Sequence, residues 1–311
     1  MNVKNGPVKL ASIDIGTNST RLMIAEKKRN HLKTLYRGVE ITRLGAGVNE
    51  KRVLSSSAIQ RTRLTLNKYK RLIEDYGVNE TKVVATSAMR DAKNASLFID
   101  EVEKKVGFQV EVLTGEKEGE LSFLGATYDL CHVHQPILVI DIGGGSTEII
   151  FGRPGFAEKF FSLDIGSVRL TEMFIKNDPP LESEIYLIED YINSIIKGSF
   201  KEIDKRENLL CIGLAGTITT LSAISQKMRV YSPKKIHGSR LSLLEIERIL
   251  NYLLSKNLSE RKRLVGLESE RADIIIAGTV ILREIIRALG LKTVLISEHD
   301  ILDGLILTMD C

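Results

Sequence analysis

Two stretches of the chain place a carboxylate directly before a turn made of small, hydroxyl-bearing residues. Ile13 to Ile24 reads IDIGTNSTRLMI and Ile140 to Phe151 reads IDIGGGSTEIIF, with six of twelve positions identical. In each, an apolar run ends in an Asp, a turn follows, and a second β-prone run leaves it. Such a turn can point backbone N–H groups outward at an anion, and glycine allows a ligand close to the backbone. The chemistry suggested is a grip on phosphate. Thr17, Asn18 and Ser19 supply donors at the first turn, with Arg21 on the outgoing strand; Gly143, Gly144, Gly145, Ser146 and Thr147 form the second. Asp141, and by the repeat Asp14, stand where a carboxylate could hold a divalent cation beside phosphates. A plain structural hairpin, with the Asp capping its own turn, is the alternative, and three successive glycines argue against it at the second site.

A third anion site is suggested by IGLAGTITTLSAI, in which a strand ends near Gly213 and Gly216 and a helix opens at Thr217. The spacing is not that of GxxxxGK[ST], so it is not a P-loop, and a tight strand-to-helix connection is the competing reading. Arg90, in VVATSAMRDAKN, follows a buried strand and is expected on a loop. Arg61, Lys68 and Arg71, flanked by Arg63 and Lys70, form either an anion-attracting ridge or an ordinary wet helix face. Glu116, Glu118 and Glu120 crowd the start of a helix, where the dipole favours carboxylates whatever their chemistry. The five histidines show no ligand-like spacing, and HVH at 132–134 reads as a loop.

The elements that must position these groups repeat as well. Strand, turn and strand lead into a third strand over His31 to Ile41. A helix follows, capped at Ser55 to Ser57, striped by Ile59, Leu66, Tyr69, Ile73 and Tyr76, and stopped at Gly77. Lys82 to Ala85 and Gln109 to Leu113 read as strands, Glu101 to Lys105 and Glu116 to Leu130 as helices. From Ile137 the order starts again, with Phe160 to Leu163 as third strand, a helix across Leu181 to Ile196, a strand over Leu209 to Leu214, helices over Leu243 to Leu254 and Ser269 to Leu289, and a closing strand over Lys292 to Ile296. The expected organisation is therefore α/β: two domains, 1–125 completed by a C-terminal helix at 300–311, and 126–299.

At 311 residues, with 43% hydrophobic and 27% charged residues, the chain can build two real cores. A net charge of +4 gives no case for nucleic acid as partner. The longest mostly apolar stretch, Ile274 to Leu282, is too short to cross a bilayer, so no membrane partner is expected. The N-terminus enters the first strand without the apolar core of a secretion signal, which favours the cytoplasm. Cys131, Cys211 and Cys311 are scattered and form no CxxC pair, which favours reduced thiols.

Taken together, IDIGTNSTRLMI, VVATSAMRDAKN, LTGEKEGELSFLGA, VIDIGGGSTEIIFG, GLAGTITTLSAI and ERADIIIAG resemble, in order, the motifs of the exopolyphosphatase and guanosine pentaphosphate phosphohydrolase (Ppx/GppA) family. That family is a branch of the actin-like, sugar kinase and Hsp70 superfamily. The resemblance covers nearly the whole chain and is to the short members without an appended helical domain. It implies two ribonuclease H-like domains around a central cleft, and hydrolytic release of terminal phosphate from inorganic polyphosphate or guanosine pentaphosphate. It further implies Glu118 as catalytic base, Asp141 as the carboxylate associated with Mg²⁺, Gly143 to Thr147 and Thr17 to Ser19 as phosphate loops, and Arg90 as a phosphate contact. Gly216 and Thr217 stay candidates for phosphate binding, Asp14 for the metal, and a homodimer is an allowed assembly. Leu302 stands before Asp303 and Gly304, where the family commonly has Arg. An actin-like kinase or ATPase, and a non-catalytic polyphosphate or alarmone sensor, are the alternatives.

Overall fold

The computed structural model describes residues 6–29, 31–199 and 208–310; Cys311 and the first five residues lie outside these. The chain divides into two compact units, Met1–Asp129 with Asp300–Cys311, and Leu130–His299. The division falls at 129 rather than 125 because a helix runs through position 125 to Thr127.

The first unit holds β1 (Val8–Ile15), β2 (Thr20–Lys28), β3 (His31–Glu40), α1 (Val48–Lys51), α2 (Ser56–Asp75), β4 (Glu80–Ala85), α3 (Ser87–Asp91), α4 (Ala95–Val106), β5 (Val110–Val112) and α5 (Gly115–Thr127). Its sheet order is β3-β2-β1-β4-β5. The first three strands are antiparallel, and β4 and β5 run parallel to β1. One face of this sheet buries Ile13, Ile15, Leu22 and Ile24 against Leu66, Tyr69 and Ile73 of α2 and Phe98 and Val102 of α4. The α2 stripe is the expected one: Ser55 caps it by accepting from the Ala58 N–H, and Gly77 beyond it has φ of +63°, which a side chain would resist. α4 is longer than its charged half suggested, because Phe98, Val102 and Val106 continue the apolar face toward its start.

The second unit holds β6 (Ile137–Ile142), β7 (Thr147–Arg153), β8 (Phe156–Leu163), α6 (Ser167–Phe174), α7 (Glu182–Ser199), β9 (Leu210–Leu214), α8 (Ala215–Ser225), α9 (Pro233–Ile236), β10 (Arg240–Ser242), α10 (Leu243–Leu254), α11 (Leu258–Arg261), α12 (Ile275–Ala288) and β11 (Thr293–Ile296). The chain then returns to the first unit as α13 (Ile301–Leu307). Strand order here is β10-β11-β9-β6-β7-β8, so β8-β7-β6-β9-β11 reproduces the first sheet and β10 is an added edge. Even the irregularity repeats, with a register shift after Ile24 in β2 and after Phe151 in β7, the same place in the duplicated motif. Both units are α/β and ribonuclease H-like. β6 is buried at every position, as a strand covered on both faces must be.

One expected helix is broken. Ser269 to Leu289 begins as a 3-10 turn at Ser269–Arg271 and becomes α-helical only at Ile275. The Arg261 Nε donates to the Ala272 carbonyl at 3.0 Å, taking an acceptor a continuous helix would use.

Candidate active site

In both units the chemistry-bearing residues come from the carboxyl ends of the parallel strands, where open α/β sheets leave room for ligands. In the first unit, Asp14 and Ile15 at the end of β1 pair with Val84 and Ala85 at the end of β4. Leu113, just past β5, donates to the Ala85 carbonyl at 2.9 Å. The turn after β1, the start of α3 and the start of α5 are thereby brought to one edge.

The first turn is tied down through its carbonyls. Ile15 and Thr20 are the last strand pair, and the Gly16 N–H donates to the Ser19 carbonyl at 2.9 Å. The Thr17 carbonyl accepts from the Gly45 N–H at 2.8 Å and the Asn18 carbonyl from the Arg43 N–H at 2.8 Å. Among the described residues, the amides of Thr17, Asn18 and Ser19 donate to nothing. Asn18 adds a buried side-chain Nδ2 with no partner. A buried donor is rarely left unmade, so Asn18 Nδ2, beside three amides that donate to nothing among the described residues, marks a place for an acceptor that comes from outside the chain. Gly45 permits the brace, since a Cβ there would lie 2.3 Å from Thr17 Cγ2.

The second turn follows the same plan with different parts. The Gly143 N–H donates to the Ser146 carbonyl at 3.0 Å, while the start of α6 takes the remaining carbonyls. Gly143 accepts from the Ser167 N–H at 3.0 Å, Gly144 from the Val168 and Arg169 N–H groups at 2.9 and 3.0 Å, and Gly145 from Arg169 Nε at 2.7 Å. Thr147 is buried and donates its hydroxyl to the Ile165 carbonyl at 2.6 Å. The amides of Gly144 and Gly145 donate to nothing among the described residues. None of the three glycines has positive φ. Part of their close packing is internal, because Gly166 sits against the back of the turn, where a Cβ would be 2.4 Å from the Gly144 carbonyl oxygen.

Glu118 stands in the first turn of α5, whose cap Thr114 accepts from the Lys117 N–H at 3.2 Å. Arg90, in the last turn of α3, donates through Nη1 to the Leu113 carbonyl at 3.0 Å and to Glu118 Oε2 at 2.6 Å. The half-buried guanidinium therefore fixes one oxygen of a mostly buried carboxylate in a single orientation. Arg90, expected as a phosphate contact, is placed by the structure against the Leu113 carbonyl and Glu118.

Asp14 and Asp141 occupy equivalent positions, and both are buried. Asp14 Oδ2 accepts from Arg21 Nε and Nη2 at 2.9 and 2.6 Å, while Oδ1 is buried without any partner. Burial raises the Asp14 carboxyl above the usual range, against the opposing pull of the Arg21 charge. A buried carboxylate oxygen with an open valence suits a hard divalent cation, so the donor set fits Mg²⁺. Arg21 also donates, from Nη1, to Asp300 Oδ2 at 2.5 Å. Between Asp14 and Asp300 it neutralises buried charge beside the turn.

At the third expected site, Gly216 lies at the start of α8 under a guanidinium: a Cβ there would meet Arg271 Nη1 at 2.2 Å. Thr217 is buried, and Gly278 packs on its side chain. Arg271 and Arg169 were not singled out in the sequence. The available signal was their place in short motifs, GSVRL and ERADIIIAG, since nothing in local spacing ties either to a turn. The expected basic ridge on α2 is largely spent on neighbours. Lys68 pairs with Glu40 at 2.5 Å, Arg63 with Glu101 at 3.1 Å, Lys70 donates to the Val106 carbonyl and Arg61 to that of Thr42. Crowded like charges find local counterions wherever the fold supplies them. The HVH stretch at 132–134 lies outside helix and strand as expected, and His237 and His299 meet edge to face in the second unit with ring centroids 4.7 Å apart. Burial pushes the Cys211 thiol up to about 12, consistent with an inert core residue.

Known proteins share the sequence and fold of this chain. Residues 23–310 match the Ppx/GppA phosphatase family. The chain is 40% identical over 310 residues to a bifunctional 3-dehydroquinate synthase/phosphatase of Fusobacterium nucleatum, covering 96% of this chain and 46% of that longer protein. It is 36% identical over 314 residues to exopolyphosphatase 2 of Mycobacterium tuberculosis, covering 97% and 98% of the two chains. Among solved structures, the Ppx/GppA enzyme of Aquifex aeolicus superposes with a TM-score of 0.82 at 35% identity, covering 97% of this chain and 100% of the other. The chain belongs to the Ppx/GppA phosphatase family.

Proposed function

We propose that the chain is a Mg²⁺-dependent phosphoanhydride hydrolase that removes the terminal phosphate of inorganic polyphosphate. The observation that carries this reading is the pair of turns, one in each unit, whose carbonyls are tied back and whose amides at Thr17, Asn18, Ser19, Gly144 and Gly145 are left to donate. Five oriented N–H groups suit a polyanion whose negative charge lies on non-bridging phosphoryl oxygens. The name of the Mycobacterium tuberculosis relative supports the same substrate.

In the proposed reaction the turns hold phosphoryl oxygens and the amide of Asn18 adds its buried Nδ2. Glu118, oriented by Arg90, takes a proton from the attacking water as its oxygen bonds to the terminal phosphorus. The bridging P–O bond breaks, releasing orthophosphate and a chain one residue shorter. Asp14 and Asp141 are the residues that would hold Mg²⁺, which when bound would supply neutralisation of developing charge on the phosphoryl oxygens. Arg21 keeps the Asp14 carboxylate in place.

Guanosine pentaphosphate ends in the same anhydride and is the second substrate of the proposal. No helix of the described residues is long and apolar enough to cross a membrane. A cytoplasmic setting is proposed on the unpaired thiols Cys131 and Cys211. Phosphate release from purified protein, given each substrate with and without Mg²⁺, tests the reading. Release from polyphosphate is expected, and no release from either compound would overturn it.

A further inference from the structure

A buried line of charges runs from β3 to the first phosphate turn. Arg37 donates Nη2 to Asp300 Oδ1 at 2.7 Å and Nη1 to Asp303 Oδ2 at 2.8 Å. Asp300 Oδ2 in turn accepts from Arg21 Nη1 at 2.5 Å, and Arg21 holds Asp14 Oδ2 with two bonds. Asp14, Asp300 and Asp303 are all nearly inaccessible, at 4%, 6% and 0% exposure. Three carboxylates are thus gathered around two guanidiniums, and among the described residues the oxygen of Asp14 and Asp300 that lacks a partner is Asp14 Oδ1.

Anchoring α13 does not account for this arrangement. The helix is already fixed by Leu302, Ile306 and Met309 against Leu10 and Met23, and by Lys27 donating to the Leu307 carbonyl at 2.8 Å. Gly304 packs so closely on Leu121 that a Cβ would lie 2.0 Å from its carbonyl oxygen. Capping needs only one oxygen of Asp300, the Oδ1 that accepts from the Leu302 N–H at 2.9 Å. The other oxygen goes to Arg21, and its effect is felt at Asp14.

We propose that Asp300 and Arg37 are positioning residues for the first phosphate turn. They hold the Arg21 fork in one orientation, so that Asp14 keeps Oδ2 paired and presents Oδ1 to a divalent cation. The inference rests on the metal role given to Asp14 above. Residues that orient metal ligands commonly account for about 10- to 100-fold in metal affinity when replaced. The planar fork matters more than the charge, because one ammonium cannot bridge Asp300 and Asp303 as the two nitrogens of Arg37 do.

The test uses the full chain as wild type, Asp300→Asn, Arg37→Gln, Arg37→Lys and Asp14→Asn, with Mn²⁺ binding read from the electron paramagnetic resonance of the free ion. Melting curves check folding. The expected result is that Asp300→Asn and both Arg37 variants weaken Mn²⁺ binding by about tenfold or more, with the Mg²⁺ requirement for phosphate release rising in parallel. Should Asp300→Asn fail to fold, the Arg37 variants, altered at a half-buried side chain on β3, carry the test. Mn²⁺ affinity within about twofold of wild type in folded Arg37→Gln, or full restoration by Arg37→Lys, would overturn the inference while leaving the metal role of Asp14 intact. Undiminished binding by Asp14→Asn would remove that role, and this inference with it.

Discussion

Replacing Gly166 by alanine should damage the second phosphate turn without replacing any residue proposed to meet substrate. The added Cβ would lie 2.4 Å from the Gly144 carbonyl oxygen and 2.5 Å from the carbonyl carbons of both Gly144 and Gly145, where ordinary contact begins at 3.4 Å. Relief requires a shift of about 1 Å, and the atoms in the way are backbone, which cannot rotate aside. Overpacking of this kind costs about 1–3 kcal/mol, or roughly 2–12 °C in melting temperature for a unit of this size. A 1 Å misplacement of binding groups can cost about a hundredfold in rate. Gly155→Ala supplies the control: its φ of +78° imposes a backbone penalty of about 1–2 kcal/mol, yet no atom lies within 4 Å of the new Cβ. Melting curves and steady-state phosphate release from polyphosphate separate the two effects. Both variants should melt earlier, and only Gly166→Ala should lose kcat/KM, by about a hundredfold, well below its melting temperature. Wild-type turnover by folded Gly166→Ala would refute the claim that the triglycine backbone, held from behind, forms the binding surface.

Other outcomes follow from the same geometry. Glu118→Gln should lower kcat by about a hundredfold to ten-thousandfold while polyphosphate binding, followed by calorimetry, changes little. Arg90→Met removes the 2.6 Å partner of Glu118 and should lower kcat and shift its pH profile, whereas a rise in KM alone would make Arg90 a substrate contact. Glu184 behaves differently because its role is structural. Burial acts to raise its pKa, but bonds from the N–H groups of Leu181, Lys176 and Asn177 and from Asn177 Nδ2 outweigh it and hold the carboxyl below the usual range. A depressed folded value means stability present above about pH 4.3, the ordinary glutamate value, and lost as pH falls through the folded value. Glu184→Gln should therefore cost about 1–3 kcal/mol near neutrality and flatten the acid limb of a denaturation series.

Much of each unit was legible because its signals are local. The Asp-turn-strand repeat, the α2 stripe ending at Gly77 and the glutamates opening α5 all lie within a few residues of the structure they specify. Less legible were the groups that brace the site from a distance. Arg169 reaches Gly145 across 24 positions, and Arg21 reaches Asp300 across 279. No periodicity encodes such pairs, since they arise only when the sheet order returns α13 to β1 and β2. The basic ridge misled for the same reason: Lys68 and Arg63 look uncommitted along α2, and their counterions Glu40 and Glu101 come from β3 and α4. The break before α12 was hidden because the competing donor, Arg261, belongs to another helix.

Phosphate binding by the free amides of the two turns is read out in ¹H–¹⁵N spectra of the labelled chain, titrated with Mg²⁺ and a non-hydrolysable imido analogue of tripolyphosphate. The amides of Thr17, Asn18, Ser19, Gly144 and Gly145 should move downfield together and saturably, as donors newly engaged by phosphoryl oxygens do. Saturable shifts elsewhere in the chain, with these five amides unmoved, would contradict it.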